Sequence, residues 1–498
     1  MHPAGFLRRM QAVGLGSGTV FELHHLAAQE LWDWIRRGEA TALEVTEHYL
    51  DRIARLDPAL GAFVTVTADA ARDRAGHLGD RVPTSRPLWG LPSADKDLYD
   101  RAGVPTRNGT ASLPVRPAGA DHPLVAALDA AGTVSLGKTT SPEFGMSSSS
   151  ETRFGVTRNP YDTSRAPGGS SSGAAVAVAA GMLPAAVGSD GGGSVRIPAA
   201  ANGLVGLKPS RGRVPSMPGR SGVGGLSVAG PLTRNVADAG MLLDALVAPT
   251  GLPSPQPYAL VTPDVGEGPF TAAAVRGEGR FVVGVLDGSP WDDTVDVVVD
   301  PAARAAVETA VRVLGEVGHG VEDVAMPRAP YAAAFRVAWE SSAARLPMVP
   351  GIDLAELTPL VSWLVARGQA LTGTQVLDAM TALDTFSAAL IGTFDRFDAV
   401  LTPTLALTPR PLGWYGDDPE EDFHRQCAYS PWTSMANVAG LPAITLPVGV
   451  TEDGHPDGAG LPMGVQLIGR PGGERVLLAI GAQLERRLRW QRRHPPVW

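Results

Sequence analysis

The stretch that decides the fold is residues 167–209, PGGSSSGAAVAVAAGMLPAAVGSDGGGSVRIPAAANGLVGLKP. Its glycine run, GSDGGGS at 188–194, has the composition of a flexible linker. A linker, however, seldom lies between two apolar segments, and here an Ala- and Val-rich run precedes the glycines while a second apolar run follows them. The apolar part from Gly173 to Gly188 is too short to span a membrane. We therefore predict a buried helix and its exit, capped by Ser171 and Ser172, with the glycine run ordered inside the core.

The glycine run also has the composition of an oxyanion site. Gly191, Gly192 and Gly193 directly precede Ser194, and glycine lets several backbone N–H groups turn toward one point. N–H groups that converge beside a hydroxyl stabilise the negative charge that develops on a carbonyl oxygen during acyl transfer. Ser194 is therefore the candidate nucleophile, and the three glycines are the candidate oxyanion hole.

Lysine is nearly absent from the chain. Only Lys96, Lys138 and Lys208 are lysines among the 42 lysine and arginine residues. Arginine replaces lysine well at a surface, but it cannot give up its proton, whereas a buried lysine can become neutral and act as a base. The three retained lysines are therefore candidates for a chemical or a packing role. No histidine lies within these motifs to activate a serine.

Three shorter patterns suggest other enzymes, and each lacks its expected context. Residues 132–139 match a phosphate-binding loop, but a helix-like segment stands where a strand is needed and Pro142 interrupts the helix that should follow. Residues 93–96 match the S-x-x-K of penicillin-recognising enzymes, but no K-T-G triplet follows in the required order. Residues 169–173 match G-x-S-x-G without a buried strand ahead of them, which disfavours this interpretation without excluding it.

Together with Leu91-Pro-Ser-Ala-Asp-Lys96-Asp97, the long glycine- and serine-rich stretch resembles the amidase signature family. The similarity extends to residues 131–144, 437–442 and 462–470. The resemblance implies an α/β fold, in which a large mixed central β-sheet is flanked by α-helices on both faces. The pattern departs from the family at Ser172, where glycine is usual, and at Ala174 and Gly191, where serine and a larger residue are common.

The resemblance also implies a role for each catalytic position. Lys96 would be the base and Ser194 the nucleophile, with Ser170 between them and preceded by a cis peptide bond. Asp190 and Arg196 would hold the glycine loop in shape. The implied reaction is hydrolysis of a carboxylic amide through an acyl-enzyme on Ser194, with no metal and no organic cofactor; whether an ester or a carbamate is also cleaved stays open.

The rest of the chain predicts one large domain. We expect a flexible N-terminal arm at 1–24 and a single domain at 25–498, with a catalytic core at about 87–213. Substrate-pocket helices and loops are expected at 328–440, with Trp414, Tyr415 and Trp432 as candidate walls. Hydrophobic patterning predicts strands at 133–136, 280–286, 397–402, 443–450 and 462–468. It predicts helices at 26–37, 41–56, 123–131, 301–316, 328–348, 354–395 and 473–490, and a long surface loop at 250–278.

Composition restricts the partners. The formal net charge is −9 and no basic run could neutralise a phosphate backbone, so nucleic acid is not expected as a partner. Cys427 is the only cysteine, which excludes an internal disulfide and fits a reducing cytoplasm. The expected partners are a small-molecule amide and water, without a membrane, and a homodimer stays open.

Two alternatives to a stand-alone amidase remain. One is the catalytic A-type subunit of a glutamine-dependent aminoacyl-tRNA amidotransferase, which would act with a partner on a charged transfer RNA. The other is a non-catalytic binding protein on the same fold. Hydrolysis of simple amides by the chain alone would argue against the first, and absence of covalent labelling at Ser194 would favour the second.

Overall fold

A mixed β-sheet forms the centre of the molecule. The computed structural model describes residues 22–79, 82–83, 86–215, 223–247, 260 and 269–498, and within them eleven strands form one sheet in the order β1-β3-β2-β6-β8-β7-β12-β13-β11-β9-β10, while β4 and β5 form a separate hairpin. The strands are β1 (Phe63–Val66), β2 (Pro92–Lys96), β3 (Val134–Thr139), β4 (Glu151–Thr152), β5 (Gly155–Val156), β6 (Ala185–Asp190), β7 (Val205–Lys208), β8 (Val228–Thr233), β9 (Val282–Asp287), β10 (Gly320–Ala325), β11 (Ala399–Pro403), β12 (Ala443–Val450) and β13 (Pro462–Gly469).

Helices surround this sheet. They are α1 (Ala28–Arg37), α2 (Ala42–Leu60), α3 (Ala68–His77), α4 (Pro123–Ala131), α5 (Ser172–Ala179), α6 (Arg196–Ala201), α7 (Val236–Val247), α8 (Pro269–Arg276), α9 (Pro301–Glu316), α10 (Ala332–Ala343), α11 (Pro359–Ala370), α12 (Gly373–Phe394), α13 (Pro419–Tyr429), α14 (Ser434–Val438) and α15 (Glu474–Leu488).

The sheet is covered on both faces, as the alternation of side chains along its strands shows. Successive residues of a strand point to opposite faces. In β11, Ala399 and Leu401 belong to an apolar cluster that includes residues of α7, α9 and α15, whereas Val400 belongs to a second cluster with residues of α10, α11 and α12. The α/β class and the mixed sheet flanked by helices are thereby confirmed.

Several predicted elements have the expected bounds. The helices at 123–131 and 301–316 and the strand at 443–450 coincide with α4, α9 and β12. At the start of α2, Thr41 Oγ1 accepts the N–H of Glu44 at 3.1 Å and the Glu44 carboxylate accepts the N–H of Thr41 at 2.9 Å, so the helix begins at a capping box.

Other expectations were wrong. The segment after the Ala- and Val-rich helix is a strand, β6, although alanine and glycine have little preference for strands; here the strand forms because β8 pairs with it. The helical range 354–395 is two helices, because Thr372 caps a new helix. Of the surface loop predicted at 250–278, residues 269–276 form α8, while most of the remainder lies outside the described residues.

The N-terminal arm predicted at 1–24 can be compared with the structure only over its last three residues. Residues 1–21 lie outside the described residues. Leu23 and His24 are buried, and Leu23 belongs to the main apolar cluster, so the packed part of the chain includes residues that were assigned to the arm.

Helix α12 has the length and apolar composition of a membrane span, and it is the one helix of the described residues that does. Its buried residues, Ala379, Leu383, Phe386, Leu390 and Phe394, follow one another at intervals of three or four. This spacing places them on one face of the helix, which packs into the second apolar cluster, while the other face is exposed. The helix is therefore a core-facing amphipathic helix of this fold.

The topology brings two strand ends together. β2 and β6 are neighbours in the sheet and run parallel, with Asp95 opposite Val187. The carboxyl ends of parallel strands lie at the same edge of a sheet, which is where α/β proteins commonly place their sites. Lys96 at the end of β2 therefore lies beside Asp190 and the glycine run that follows β6.

Candidate active site

Lys96 lies at the centre of a cluster of serine hydroxyls. Its side chain is fully buried, and its Nζ lies 2.8 Å from Ser170 Oγ, 3.0 Å from Ser171 Oγ and 2.8 Å from Ser189 Oγ. Burial lowers the pKa of Lys96 to about 7, although the negative charge of Asp190 acts in the opposite direction. Near neutral pH, a substantial fraction of Lys96 is therefore uncharged and able to accept a proton.

The other two lysines are buried as well, and burial lowers the pKa of both. Their ammonium groups have other partners: Lys138 donates to the carbonyl oxygen of Tyr99, and Lys208 donates to that of Pro209 at 2.9 Å. All three lysines of the chain are therefore buried. Only Lys96 is hydrogen-bonded to serines of the stretch 167–209.

Ser170 follows a cis peptide bond between Gly169 and Ser170, as the family resemblance implied. Gly169 packs tightly against the backbone of residues 147–149, where a Cβ at this position would lie 2.9 Å from Ser149 O. A larger residue would therefore displace the backbone that carries the Ser170 hydroxyl.

Ser194 faces a pocket. Its exposed fraction is 9%, and it lines the pocket together with Gly192 and Ile197. The N–H of Ser171 donates to Ser194 O at 3.2 Å, which holds the two serine segments side by side. Within the part of the chain that the structure describes, the Ser194 hydroxyl has no hydrogen-bond partner. It is therefore available to contact a ligand in the pocket.

Asp190 holds the glycine loop in place. Its carboxylate accepts the N–H groups of Gly193 at 2.8 Å and Val195 at 3.1 Å, and it pairs with the Arg196 guanidinium at 2.8 Å. Both partners of this ion pair are fully buried. Burial is the largest single influence and would raise the pKa of Asp190. The charge and hydrogen bonds of Arg196, the charge of Lys208 and the hydrogen bond of Asn437 together outweigh it, so the pKa lies well below its usual value. These contacts tie the glycine loop to Arg196, and the supporting role of Asp190 and Arg196 stays a prediction.

One glycine of the predicted oxyanion hole differs from the other two in its hydrogen bonding. The N–H of Gly193 is donated to the Asp190 carboxylate, so this donor is already used within the protein. Gly193 has φ +130°, and a Cβ there would lie 2.5 Å from Thr433 Oγ1, so it shapes the loop. By contrast, the N–H groups of Gly191, Gly192 and Ser194 have no hydrogen-bond acceptor among the residues that the structure describes.

Asp190→Asn is expected to lower the free energy of unfolding by about 3–5 kcal/mol, because the substitution leaves the buried Arg196 charge without a partner. Urea denaturation measures the change. The matched control is Asp51→Asn, since Asp51 pairs with Arg55 at an exposed position and its loss should cost less than about 1 kcal/mol. Equal losses for the two variants would show that the buried pair does not hold the loop.

Sequence reasoning missed several residues that complete this site. Arg196 donates to Thr433 O at 2.7 Å, to Gln466 Oε1 at 2.5 Å and to Asn437 Oδ1 at 2.6 Å, so two distant segments, 433–437 and the strand β13, meet at one guanidinium. Asn437 and Gln466 lie in the segments 437–442 and 462–470, which carried the family resemblance. That resemblance was the one sequence feature that could have pointed to them. Ser189, bonded to Lys96, had no signal beyond its position before Asp190.

The N-cap interpretation of two serines was wrong. Ser171 occupies the N-cap position of α5, but its hydroxyl contacts Lys96 and does not accept an N–H of the first helical turn. The Ser172 hydroxyl donates to Gly168 O at 2.8 Å.

The competing motifs also fail on geometry. The lysine of the apparent phosphate loop lies inside β3, not at the start of a helix. In the S-x-x-K pattern, the Ser93 hydroxyl is buried and makes no hydrogen bond to Lys96 or to any other described residue. Residues 166–171 form a loop, so no strand leads into the G-x-S-x-G pattern.

Four aromatic residues line the pocket beside Ser194, together with serines and other small or apolar residues. Phe335, Trp339 and Phe423, from the range 328–440, line it together with Trp291. The sole cysteine, Cys427, also lines it, but burial raises the pKa of its thiol, which disfavours the nucleophilic thiolate.

Three aromatic residues expected in the pocket wall lie elsewhere. Trp432 is buried and its indole N–H donates to Gly288 O at 3.0 Å. Trp414 packs against Tyr415 and Tyr429, with ring centroids 5.1 and 6.2 Å away. The expectation that Trp414, Tyr415 and Trp432 line the pocket was therefore wrong.

A group of metal-ligating side chains, Glu22, His24 and His48, lies in the N-terminal part of the chain, away from the pocket. His24 Nδ1 is 3.2 Å from both His48 Nε2 and Glu22 Oε2. The guanidinium groups of Arg52 and Arg234 face this cluster and lower the pKa of His24 further than its burial alone does. The same positive charge opposes binding of a cation there.

Comparison with known proteins places these observations in a family. The family model described as Amidase matches residues 44–478. AmiB2 of Mycobacterium tuberculosis (strain ATCC 25618 / H37Rv), a protein provisionally named an amidase, is 37% identical over 92% of this chain and 96% of its own length. The A-type subunit of the glutamyl-tRNA(Gln) amidotransferase of Symbiobacterium thermophilum is 34% identical over 91% of this chain and 95% of its own length. A 6-aminohexanoate cyclic dimer hydrolase, solved in complex with substrate, superposes with a TM-score of 0.83 at 27% identity, over 95% of this chain and 99% of the hydrolase.

Proposed function

Because the chain belongs to the amidase signature family and is an amide hydrolase, we propose that it forms an acyl-enzyme on Ser194, with Ser170 and Lys96 activating this nucleophile. The observation that carries the proposal is the 2.8 Å contact between Lys96 Nζ and Ser170 Oγ. It lies in a site where burial lowers the pKa of Lys96 to about 7. A neutral amine in contact with a serine hydroxyl is the arrangement that a proton relay without histidine requires.

The proposed relay moves two protons. As Ser194 Oγ attacks the substrate carbonyl carbon, its proton passes to Ser170 Oγ, and the Ser170 proton passes to Lys96 Nζ. When the tetrahedral intermediate collapses, the C–N bond breaks and the leaving nitrogen takes a proton back through Ser170. The acyl group stays on Ser194. Water then attacks the ester by the same relay and releases the carboxylic acid.

The oxyanion of the intermediate needs donors that are not otherwise used. We assign this role to the N–H groups of Gly191, Gly192 and Ser194, because the N–H of Gly193 is bonded to Asp190. The Asp190–Arg196 pair keeps these donors fixed, since it ties the loop to α6 and to the segment of Thr433.

The proposed substrate class is a carboxylic amide. An ester or a carbamate would react in the same way, because each presents a carbonyl with a leaving group to Ser194. The scheme uses side chains and backbone groups of this chain together with water.

The experiment that tests the function is a substrate panel with the purified chain alone. We expect release of amine from simple anilides and primary amides without a partner protein, measured as kcat/KM. A chain inactive on the whole panel, yet able to release ammonia from glutamine when supplied with charged transfer RNA and partner proteins, would instead support the role named for the Symbiobacterium relative.

A further inference from the structure

One wall of the pocket is a stacked aromatic array that lies against the glycine loop. A Cβ built on Gly191 would lie 3.7 Å from the Trp339 indole, and one on Gly192 would lie 3.7 Å from the Phe335 ring. The Trp339 indole therefore occupies the space beside position 191. This places the indole next to the proposed oxyanion donors.

The array is held in position by its own helix. Phe335 and Trp339 are four residues apart on α10, and their rings stack with centroids 5.7 Å apart and planes 19° apart. Trp291 meets Phe335 edge-on at 5.6 Å. Tyr331, one turn earlier, stacks on Phe335 and donates from its hydroxyl to Ser434 Oγ at 2.7 Å. The indole face is thus preorganised before any substrate binds.

The pocket offers no charged partner to a substrate. None of the described residues that line it is Asp, Glu, Lys, Arg or His. Its amide side chain, Gln426, is already engaged, since Oε1 accepts the N–H of Ser148 at 2.9 Å and Nε2 donates to Asp422 at 2.7 Å. A charged substrate group would lose its hydration here without a compensating ion pair.

The proton relay decides which half of the substrate meets the aromatic wall. The leaving nitrogen must lie toward Ser170, because Ser170 returns the proton to it. With the carbonyl oxygen toward the glycine loop and the nitrogen toward Ser170, we assign the remaining substituent on the carbonyl carbon to the part of the pocket that Phe335 and Trp339 line.

We propose that Trp339 is a specificity-determining residue, and that this amidase selects uncharged, flat acyl groups of the aroyl class by stacking them on the indole. This inference rests on the proposed function, since it uses Ser194 as nucleophile and Ser170 as proton donor. Aromatic rings stack favourably in offset arrangements, and an aliphatic acyl group of similar size gains less from such a wall.

The test compares substrates that share one leaving group. Benzoyl, acetyl and succinyl 4-nitroanilides differ only in the acyl part, and nitroaniline release gives kcat/KM for each. We expect the benzoyl substrate to exceed both the acetyl and the anionic succinyl substrates by at least about tenfold. Trp339→Ala should lower the benzoyl-to-acetyl ratio by about tenfold, whereas Trp339→Phe, which keeps an aromatic face, should retain most of it.

Two further variants separate a specific effect from loss of fold. Trp32→Ala removes a partly buried tryptophan of α1 that does not line the pocket, and it should leave the ratio unchanged. Gly191→Val should push the indole aside and lower the same ratio, and combining it with Trp339→Ala should lower the ratio by less than the two separate effects together.

Equal slowing of all three anilides by Trp339→Ala would place the leaving group on the indole and overturn the proposal. Faster cleavage of the succinyl substrate than of the benzoyl substrate would overturn it as well. Either result would leave Ser194 as the nucleophile. Failure of the proposed function has a different signature, which is retention of hydrolysis when Ser194 is replaced.

Discussion

Alanine at position 194 is expected to lower kcat for amide hydrolysis by about four to six orders of magnitude, the loss typical when a hydrolase loses its nucleophile. The expected cause is chemical, because in the proposed mechanism Ser194 provides the oxygen that forms the acyl-enzyme. The substitution removes one hydroxyl that has no hydrogen bond in the described structure, so the free energy of unfolding should change little. The oxyanion donors remain, and a small residual rate above that in water is compatible with the proposal.

Covalent labelling gives an independent measurement. A serine-directed aryl phosphonate should add one adduct to the wild-type chain, located at Ser194 by mass spectrometry of its peptides, and none to Ser194→Ala. The control is Ser164→Ala, which removes an exposed serine hydroxyl bonded to Asp162 and should retain both labelling and activity. Full activity of Ser194→Ala, or an adduct on another serine of the wild-type chain, would refute the assignment.

The sequence could suggest Ser194 as the nucleophile because two of the three proposed catalytic groups lie in one local, recognisable stretch; the assignment stays a prediction. Ser170 and Ser194 stand 24 positions apart in one stretch, and the helix and strand between them return the chain to the same edge of the sheet. Pairing Lys96 with Ser170 required information beyond local sequence, since the two residues lie 74 positions apart in the chain. The family resemblance supplied that pairing, whereas the scarcity of lysine alone left three candidates.

Strands built from small and polar residues were less predictable. β2 is Pro-Ser-Ala-Asp-Lys and has no alternating pattern, yet all five residues are buried. It is a strand because β3 and β6 pair with it on either side, and such tertiary pairing overrides weak local preference. The same reason explains why β6 was predicted as the exit of a helix.

Parts of the site depend on hydrogen bonds that no local pattern encodes. Whether the N–H of Gly193 faces the substrate or Asp190 is decided by the turn of the loop, and the three glycines in a row look alike in sequence. The sequence predicted the range 328–440 that contributes to the pocket wall, but not the aromatic residues that line it. Phe335 and Trp339 line it, and Trp414 does not, because α10 lies across the glycine loop.

Lys96→Arg is expected to lower kcat/KM by about a thousandfold or more, nearly as much as Lys96→Met. Arginine keeps the positive charge but cannot give up its proton at any accessible pH, so it cannot receive the proton of Ser170. Methionine has a similar length and neither charge nor base. Equal loss in the two variants would therefore assign the role of Lys96 to proton transfer rather than to charge. Thermal unfolding of both variants checks that the buried site still folds.

The pH dependence provides the signature that a structural role would not give. Burial lowers the pKa of Lys96 from 10.5 to about 7, so the proton is lost as the pH rises through that value. In the proposed relay the uncharged amine is the active form, so kcat/KM of the wild-type chain should rise with pH to a plateau above about 7 and fall about tenfold per unit well below it. In Lys96→Arg and Lys96→Met this limb should be absent from the residual rate. A Lys96→Arg variant with near wild-type activity, or one that keeps the same limb, would contradict the relay, because the titrating base would then be another group.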